Sequence, residues 1–458
     1  MRQFYESAPP PGRAACSYRA ELAHYYNLLI PAEARVLEVG CGGGELLARL
    51  RTRDVTGVDF SAAQIERAKA RVPHGRFFVQ AGEQLALAET FDVIIVSDTL
   101  NYVADVQALF ERLQTVATPA TRLLLNFQSN LWRPLLGLGR TLGLSEKSPE
   151  SSWLAASDVL NLLALADWEP VRREHRLLSP LALGGVGRNI NRWFAPLLPV
   201  GCLTDFIVAR PRPATQMPAA LTVSVVIPAR NEAGNIEAAV RRTPDMGAGT
   251  ELIFVEGHSR DGTWAEIQRV QRAFPERKIK ILQQTGRGKG NAVREGFAAA
   301  TGDVLMILDA DLTMPPEELP KFYDIIASGR AEFANGVRLV YPMDERAMQF
   351  LNLCANKTFG LLFTWLIGQP LKDTLCGTKV LRRAHYDRIV ANRAYFGDFD
   401  PFGDFDLLFG AGKLNLKIAD VPIRYRERTY GETNIQRWRH GWLLLRMVWF
   451  AARKLKFV

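Results

Sequence analysis

Between residues 222 and 316 one pattern recurs four times: a short, largely apolar run, a polar break, then a stretch with helical spacing. The runs are Val223–Ile227, Leu252–Val255, Lys278–Leu282 and Val304–Leu308. The breaks are Ala229-Arg-Asn-Glu232, Gly257-His-Ser-Arg-Asp-Gly262, Gly286-Arg-Gly-Lys-Gly290 and Asp309-Ala-Asp311. Runs that are apolar on both faces are buried strands of a parallel sheet. Their alternation with helices predicts an α/β fold, and open α/β sheets keep their ligands at the carboxyl ends of the strands. The polar breaks fall at those ends.

The fourth break carries the most chemistry. Residues two apart on a strand share a face, so Asp309 and Asp311 are expected to emerge together. Two hard oxygen donors there suit Mg²⁺ or Mn²⁺ bridged to a diphosphate. An Asp that merely caps a turn is the competing reading, and the three other polar breaks argue against it.

In this order the motifs VVIPARNE, SRDGT, GKGNA and LDADL, followed by DTLCGTKVLRR, FGDFDLLF and IADVPIRYRER, resemble the family 2 glycosyltransferases of GT-A fold. They are most similar to the polyprenyl-phosphate (dolichol-phosphate mannose synthase-like) branch, and the resemblance covers residues 222 to about 435. It implies a nucleotide-sugar donor. Pro228, Arg230, Glu232 and Glu256 would hold its nucleoside, and Asp261 and Lys289 would line the pocket. Asp309 and Asp311 would carry the metal and diphosphate, and Asp404 and Asp406 would be the catalytic pair facing the acceptor. For a hydroxyl acceptor that pair would supply a general base; for a lipid phosphate, already ionised, it would position. Two positions depart from the family: Glu256 stands where an Asp is usual, and Asp406 where a Glu is common.

The first half of the chain reads differently. Residues 17–30, SYRAELAHYYNLLI, have helical spacing and stop at Pro31. A strand over Arg35–Val39 then enters the glycine turn Gly40-Cys-Gly42-Gly-Gly44, with a helix expected over ELLARLR. Glycines let a ligand approach the backbone, with a helix N-terminus beside it. The strand Val55–Asp59 ends in an acid placed to accept from ribose hydroxyls. Because residue 45 is Glu, the turn is not the dinucleotide GxGxxG pattern.

VLEVGCGGG, VTGVDFS with the helix SAAQIERAKARV, and FDVIIVSDTLNYVAD resemble the class I S-adenosylmethionine-dependent methyltransferases over roughly residues 15 to 210. RLLLNFQS, a helix around Asp158–Leu165, WEPVRREHRLL and LTDFIVARP supply the remaining elements. The resemblance implies S-adenosylmethionine as cofactor, with Glu38, Gly40, Gly42 and Gly44 at its methionine end, Asp59 on the ribose and Phe60 against the adenine. Ala81 stands where relatives carry an acid that meets the adenine. His24, Tyr25, Tyr26 and Tyr102 fall in segments that cover the cofactor, as packing residues or acceptor contacts. The methyl acceptor is not legible.

Residues 209–221 hold three prolines and little periodicity, so they read as the linker. The expected organisation is a Rossmann-like methyltransferase domain (1–210), a linker (211–221), a GT-A domain (222–435) and a basic amphipathic helix (436–458). Both domains are doubly wound α/β folds. Five scattered cysteines without a CxxC pair argue against zinc or a disulfide framework and for a reducing cytosol. The first residues lack the apolar core of a signal peptide, and no apolar run reaches membrane-spanning length.

Residues 424–458 carry nine Lys/Arg against two Glu, which points to phosphates. Trp438, Trp442, Leu445 and Trp449 form one stripe there, and Arg439, Arg446 and Arg453 another. That pattern suits a helix lying in an anionic membrane surface, against the rival that the tryptophans pack on the sheet. With no nucleic-acid module beside it, the charge is not read as nucleic-acid binding. The expected protein is cytoplasmic, peripheral to the inner face of the cell membrane. It methylates from S-adenosylmethionine and transfers sugar to a lipid-linked or glycan acceptor, first of all polyprenyl phosphate. The alternative keeps the sugar transferase, acting on a hydroxyl, and reduces the first domain to a cofactor-binding scaffold.

Overall fold

The computed structural model describes residues 12–132, 134–137, 154–181, 185–213, 220–341, 350–395, 405–428, 430 and 437–458. The chain divides into two compact units, Met1–Arg212 with Lys456–Val458, and Pro213–Leu455. Residues 214–219 of the expected linker lie outside the described residues.

The first unit is built on seven strands: β1 (Val36–Val39), β2 (Val55–Asp59), β3 (Arg76–Val79), β4 (Phe91–Ser97), β5 (Ala117–Gln128), β6 (Trp168–Arg176) and β7 (Thr204–Pro211). They lie in the order β3-β2-β1-β4-β5-β7-β6. The strands from β3 to β5 are parallel, and β7 runs antiparallel between β5 and β6. Its helices are α1 (Arg13–Leu29), α2 (Ala62–Arg71), α3 (Val106–Gln114), α4 (Ala156–Leu165) and α5 (Val186–Trp193). Period-two alternation splits each strand between two cores. Val36 and Ile95 face one core with Leu22 and Tyr26 of α1, whereas Leu37 and Ile94 face the other with Phe110 and Trp168.

One expected element is missing. ELLARLR forms turns and a single short 3-10 turn, Leu47–Arg49, rather than an α-helix. Glu45, its first residue, is instead tied to Arg71 at 2.5 Å and to Arg19 at 3.2 Å. The helix N-terminus expected beside the glycine turn is therefore absent.

The second unit also has seven strands: β8 (Val223–Ala229), β9 (Thr250–Glu256), β10 (Lys278–Gln283), β11 (Val304–Ile307), β12 (Phe333–Val337), β13 (Lys379–Arg382) and β14 (Ile418–Pro422), ordered β10-β9-β8-β11-β13-β12-β14. The four strands that carry the motifs are parallel. Beyond them β13 is antiparallel to both neighbours, so the sheet is mixed. The helices are α6 (Ile236–Arg242), α7 (Thr263–Ala273), α8 (Lys289–Ala299), α9 (Leu319–Ala327), α10 (Phe350–Ile367), α11 (Arg383–Ala391), α12 (Phe405–Lys413) and α13 (Arg437–Leu455). One apolar core joins Val225, Ile227, Phe254, Met306 and Leu308 to Phe322 of α9. In both sheets strand order reverses beside the first strand, at β1/β4 and at β8/β11, which opens a crevice for ligand. Among the described residues no helix is long and apolar enough to cross a membrane.

Candidate functional site

In the second unit the site collects at the carboxyl ends of β8, β9 and β11. β11 stops at Ile307, so strand alternation does not deliver the two aspartates. They sit in a tight turn closed by Leu312 N–H donating to the Asp309 carbonyl at 3.1 Å, with Leu312 left-handed at φ 52°. Each carboxylate faces its own cation. Lys289 Nζ, at the first residue of α8, lies 2.6 Å from Asp309. Arg428 donates to Asp311 Oδ2 at 2.6 Å, and its other nitrogen reaches Glu232 at 3.0 Å. Gly377 of DTLCG closes this corner, because a Cβ there would run into the Asp309 carboxylate and the Lys289 ammonium.

The nucleoside candidates are linked to the same corner through backbone bonds. Glu232 N–H donates to Thr263 Oγ1 at 2.9 Å, and Ala233 N–H to Asp261 at 3.3 Å. Burial pushes Glu232 above its ordinary carboxylate range, with Asn235 and Arg428 pulling it back. Burial also acts upward on Asp261, but bonds from Thr263 and Ala233 outweigh it and hold the group low. Glu256 is buried and accepts from Ser259 N–H at 2.5 Å, so the longer side chain folds onto its own loop. Pro228 is half-buried at the end of β8, and Arg230 is exposed. Tyr430 covers this edge, its hydroxyl 3.4 Å from Asp261 and its ring over Gly234.

Asp406 opens α12 and is nearly buried. Its Oδ2 is 3.5 Å from both Arg294 of α8 and Arg393. Asp404 lies outside the described residues. Sequence reasoning missed Arg428, Arg294 and Arg393. The available signal was weak: an arginine five residues past Ile423 looks like part of a basic tail until the sheet order brings it back.

For a metal, Asp309 and Asp311 offer two carboxylates already matched to positive charge. Among the described residues no group of three or more ligands gathers. Two carboxylates leave the other coordination positions to diphosphate oxygens and water, which is how Mg²⁺ is commonly held with a nucleotide. The donor set fits.

In the first unit the glycine turn is left-handed at Gly40, Gly42 and Gly44, with φ 76°, 51° and 73°. A Cβ at Gly40 would meet Thr99, whereas at Gly42 only Glu45 lies within reach, at 3.8 Å, leaving an open approach to the backbone. Asp59 anchors the turn, accepting from Gly42 N–H and Ser61 N–H, each at 2.9 Å. Burial raises its pKa, and those two amides pull it back. Glu38 is buried on β1, and burial, then Glu45, push it well above its usual range. Among the described residues its Oε2 has no hydrogen-bond partner. An orphaned buried carboxylate oxygen beside an open glycine turn fits the ammonium and backbone-hugging shape of an amino-acid nucleoside. Phe60 is half-buried next to Asp59.

The aromatic candidates separate. Tyr26 is fully buried and donates to Asn126 at 2.6 Å, Tyr25 donates to the buried Glu174, and Tyr102 ends a short 3-10 turn. His24 and Tyr25 line a small hollow with Arg176 and Asn191.

Residues 8–173 match the family described as a methyltransferase domain, and residues 224–390 match glycosyl transferase family 2. The chain is 30% identical over 226 residues to the dolichol-phosphate mannosyltransferase of Pyrococcus furiosus, covering 47% of this chain and 60% of that one. It is 32% identical over 214 residues to the undecaprenyl-phosphate 4-deoxy-4-formamido-L-arabinose transferase of Pectobacterium carotovorum, covering 46% and 61%. It thus spans about three fifths of the length of these relatives. A solved S-adenosylmethionine-dependent methyltransferase of Thermotoga maritima, described as a possible histamine N-methyltransferase, aligns with 43% of this chain and 89% of its own at 18% identity and a TM-score of 0.34.

Proposed function

We propose that this chain, which joins a methyltransferase domain to a family 2 glycosyltransferase domain, is bifunctional. The second unit transfers a sugar from a nucleoside-diphosphate donor, with Mg²⁺ or Mn²⁺, to polyprenyl phosphate at a membrane surface. The first transfers a methyl group from S-adenosylmethionine. One observation carries the sugar-transfer reading. Glu232, Asp261, Lys289, Asp309 and Asp311, from all four breaks in the sequence, lie at the carboxyl end of the sheet, where Arg428, the Thr263 bonds and the Lys289–Asp309 pair tie them together.

When bound, the metal offsets the charge that builds on the leaving diphosphate. Asp309 and Asp311 would hold it, and Lys289, at the N-terminus of α8, adds a positive group and a helix end aimed at the phosphates. The two guanidinium groups that meet Asp406 are the side chains best shaped for phosphate. They favour an ionised lipid phosphate as nucleophile, with Asp406 positioning them rather than removing a proton. Both curated relatives carry a polyprenyl phosphate in their names, dolichol or undecaprenyl.

Membrane contact follows from α13. Trp442, Leu445 and Trp449 are 67%, 48% and 54% exposed, so this stripe does not pack into the core, and Arg446 and Arg453 are exposed beside it. The side chains of Trp438 and Arg439 lie outside the described residues. The reading places the protein on the cytoplasmic face of the cell membrane.

The test supplies the purified chain with labelled UDP- and GDP-sugars, Mn²⁺ or Mg²⁺ and a polyprenyl phosphate, with Asp311→Ala as control. Label that enters the organic phase only with metal and Asp311 supports the reading. Metal-dependent donor hydrolysis without lipid labelling would replace polyprenyl phosphate with a hydroxyl acceptor, and Asp406 would become the candidate base.

A further inference from the structure

Beside the glycine turn of the first unit lies one carboxylate that the reading above leaves unused. Asp98 follows β4 directly and is left-handed at φ 49°, a strained region that aspartate tolerates better than most residues. β4 pairs with β1 through Ile95 and Glu38, which puts Asp98 just beyond the neighbouring strand's Glu38 and Gly40. Thr99, the next residue, is what a Cβ on Gly40 would strike. Arg19 acts electrostatically on both Glu38 and Asp98, and both act on Tyr26. Strand register and the Thr99 contact thus set Asp98 on the strand next to the glycine turn and Glu38, whose Oε2 has no hydrogen-bond partner among the described residues.

Its side chain is held from two elements. The Tyr18 hydroxyl of α1 donates to Oδ1 at 3.2 Å, and Asn126 Nδ2 of β5 donates to the same oxygen at 2.9 Å. Asn126 is itself fixed by the Tyr26 hydroxyl, and Asp98 N–H donates to the Asn126 carbonyl at 3.0 Å. Both side-chain bonds use Oδ1; among the described residues none uses Oδ2. A network that orients a carboxylate and leaves one oxygen unused is the arrangement of a group waiting for a proton-bearing partner.

We propose that Asp98 receives the proton of the methyl acceptor on Oδ2, and that this acceptor attacks through a neutral hydroxyl or amine. The proposal rests on the methyltransferase reading. The acceptor oxygen or nitrogen bonds to the methyl carbon, and the methyl–sulfur pair stays on sulfur. The acceptor's proton passes to Asp98 Oδ2 and is returned to water after the product leaves. An anionic acceptor would meet the ionised Asp98 carboxylate and bring it no proton to take. Burial also pushes Asp98 up to about 6, close to neutral pH, where a base is both ionised and able to hold a proton.

The test compares the binding of S-adenosylhomocysteine with that of sinefungin, which carries a protonated amine in place of the methyl sulfonium. Calorimetry is run on the full chain and on D98N, a change that keeps an acceptor oxygen for Tyr18 and a residue tolerant of left-handed backbone. The native chain is expected to prefer sinefungin by about tenfold or more, the strength of one charge-assisted hydrogen bond. D98N should abolish that preference while keeping its affinity for S-adenosylhomocysteine and its thermal midpoint. If both ligands bind and the preference is absent, or survives D98N, Asp98 does not face the transferring methyl and the proposal falls. If neither ligand binds the native chain, the cofactor reading itself fails first. E38Q separates the two roles, since it should weaken both ligands alike.

Discussion

At the scale of single residues the proposed donor site is a matter of counter-charges. Asp309 and Asp311 could be singled out because they follow an apolar run, whereas Lys289 entered only through the family resemblance of GKGNA. Arg428 was not singled out, because it lies 117 residues from Asp311 in sequence and reaches it only through sheet order. Asp98 was passed over for another reason: a turn of one left-handed residue leaves no pattern in the sequence. Arg428 now makes a prediction. A lone metal ion must compete with Arg428 for Asp311, whereas a metal arriving with a diphosphate brings new anions for Arg428 and Lys289. Arg428→Gln should therefore tighten Mn²⁺ binding in the absence of nucleotide by about tenfold. It should also shrink the further gain produced by GDP or UDP. Titration of free Mn²⁺ by electron paramagnetic resonance reads both. An unchanged or weaker Mn²⁺ affinity in Arg428→Gln would mean that Arg428 does not compete for the metal's seat.

Elements obey a different logic, in which the pattern of burial decides. The strands were legible because alternation and apolar runs are local, and α2 because Ser61 caps it, accepting from Gln64 N–H at 3.4 Å. ELLARLR failed as a helix because its fate depends on Glu45 meeting Arg71 and Arg19, which no local pattern records. The antiparallel entry of β13 was invisible for the same reason: strand direction is set by the connections, not by the strand's own residues. On α13 the sequence left two readings of the tryptophan stripe, and exposure tells against the one in which it packs on the sheet. Leu444, Met447, Val448 and Ala451 pack inward, while Trp442, Leu445 and Trp449 stay outside. The W442S/W449S pair should lower binding to vesicles containing anionic lipid by at least about tenfold, since each buried side chain of this size contributes roughly 1.5–3 kcal/mol. Co-sedimentation at low and high salt checks it. Native binding should weaken with salt as the arginines are screened, and equal sedimentation of native and variant chains would assign the stripe to another partner.

For the whole molecule, the question is whether two chemistries on one chain need each other to fold. The first unit closes its own two cores on either side of β1–β7, and the second closes its core around β8, β9 and β11. The chain leaves the first unit after Arg212 and returns to it at Lys456, where Phe457 lies 5.1 Å from the Trp193 ring. Separate cores predict separate unfolding. Scanning calorimetry of the full chain should resolve two transitions. S-adenosylhomocysteine should raise only one, by the roughly 2.7 kcal/mol that a ligand at a hundred times its dissociation constant contributes. Mn²⁺ with GDP or UDP should raise only the other. Phe457→Ala removes a buried ring from the first unit, and should lower the transition that answers to S-adenosylhomocysteine by about 3 kcal/mol or more. One transition raised by both ligands would overturn the scheme.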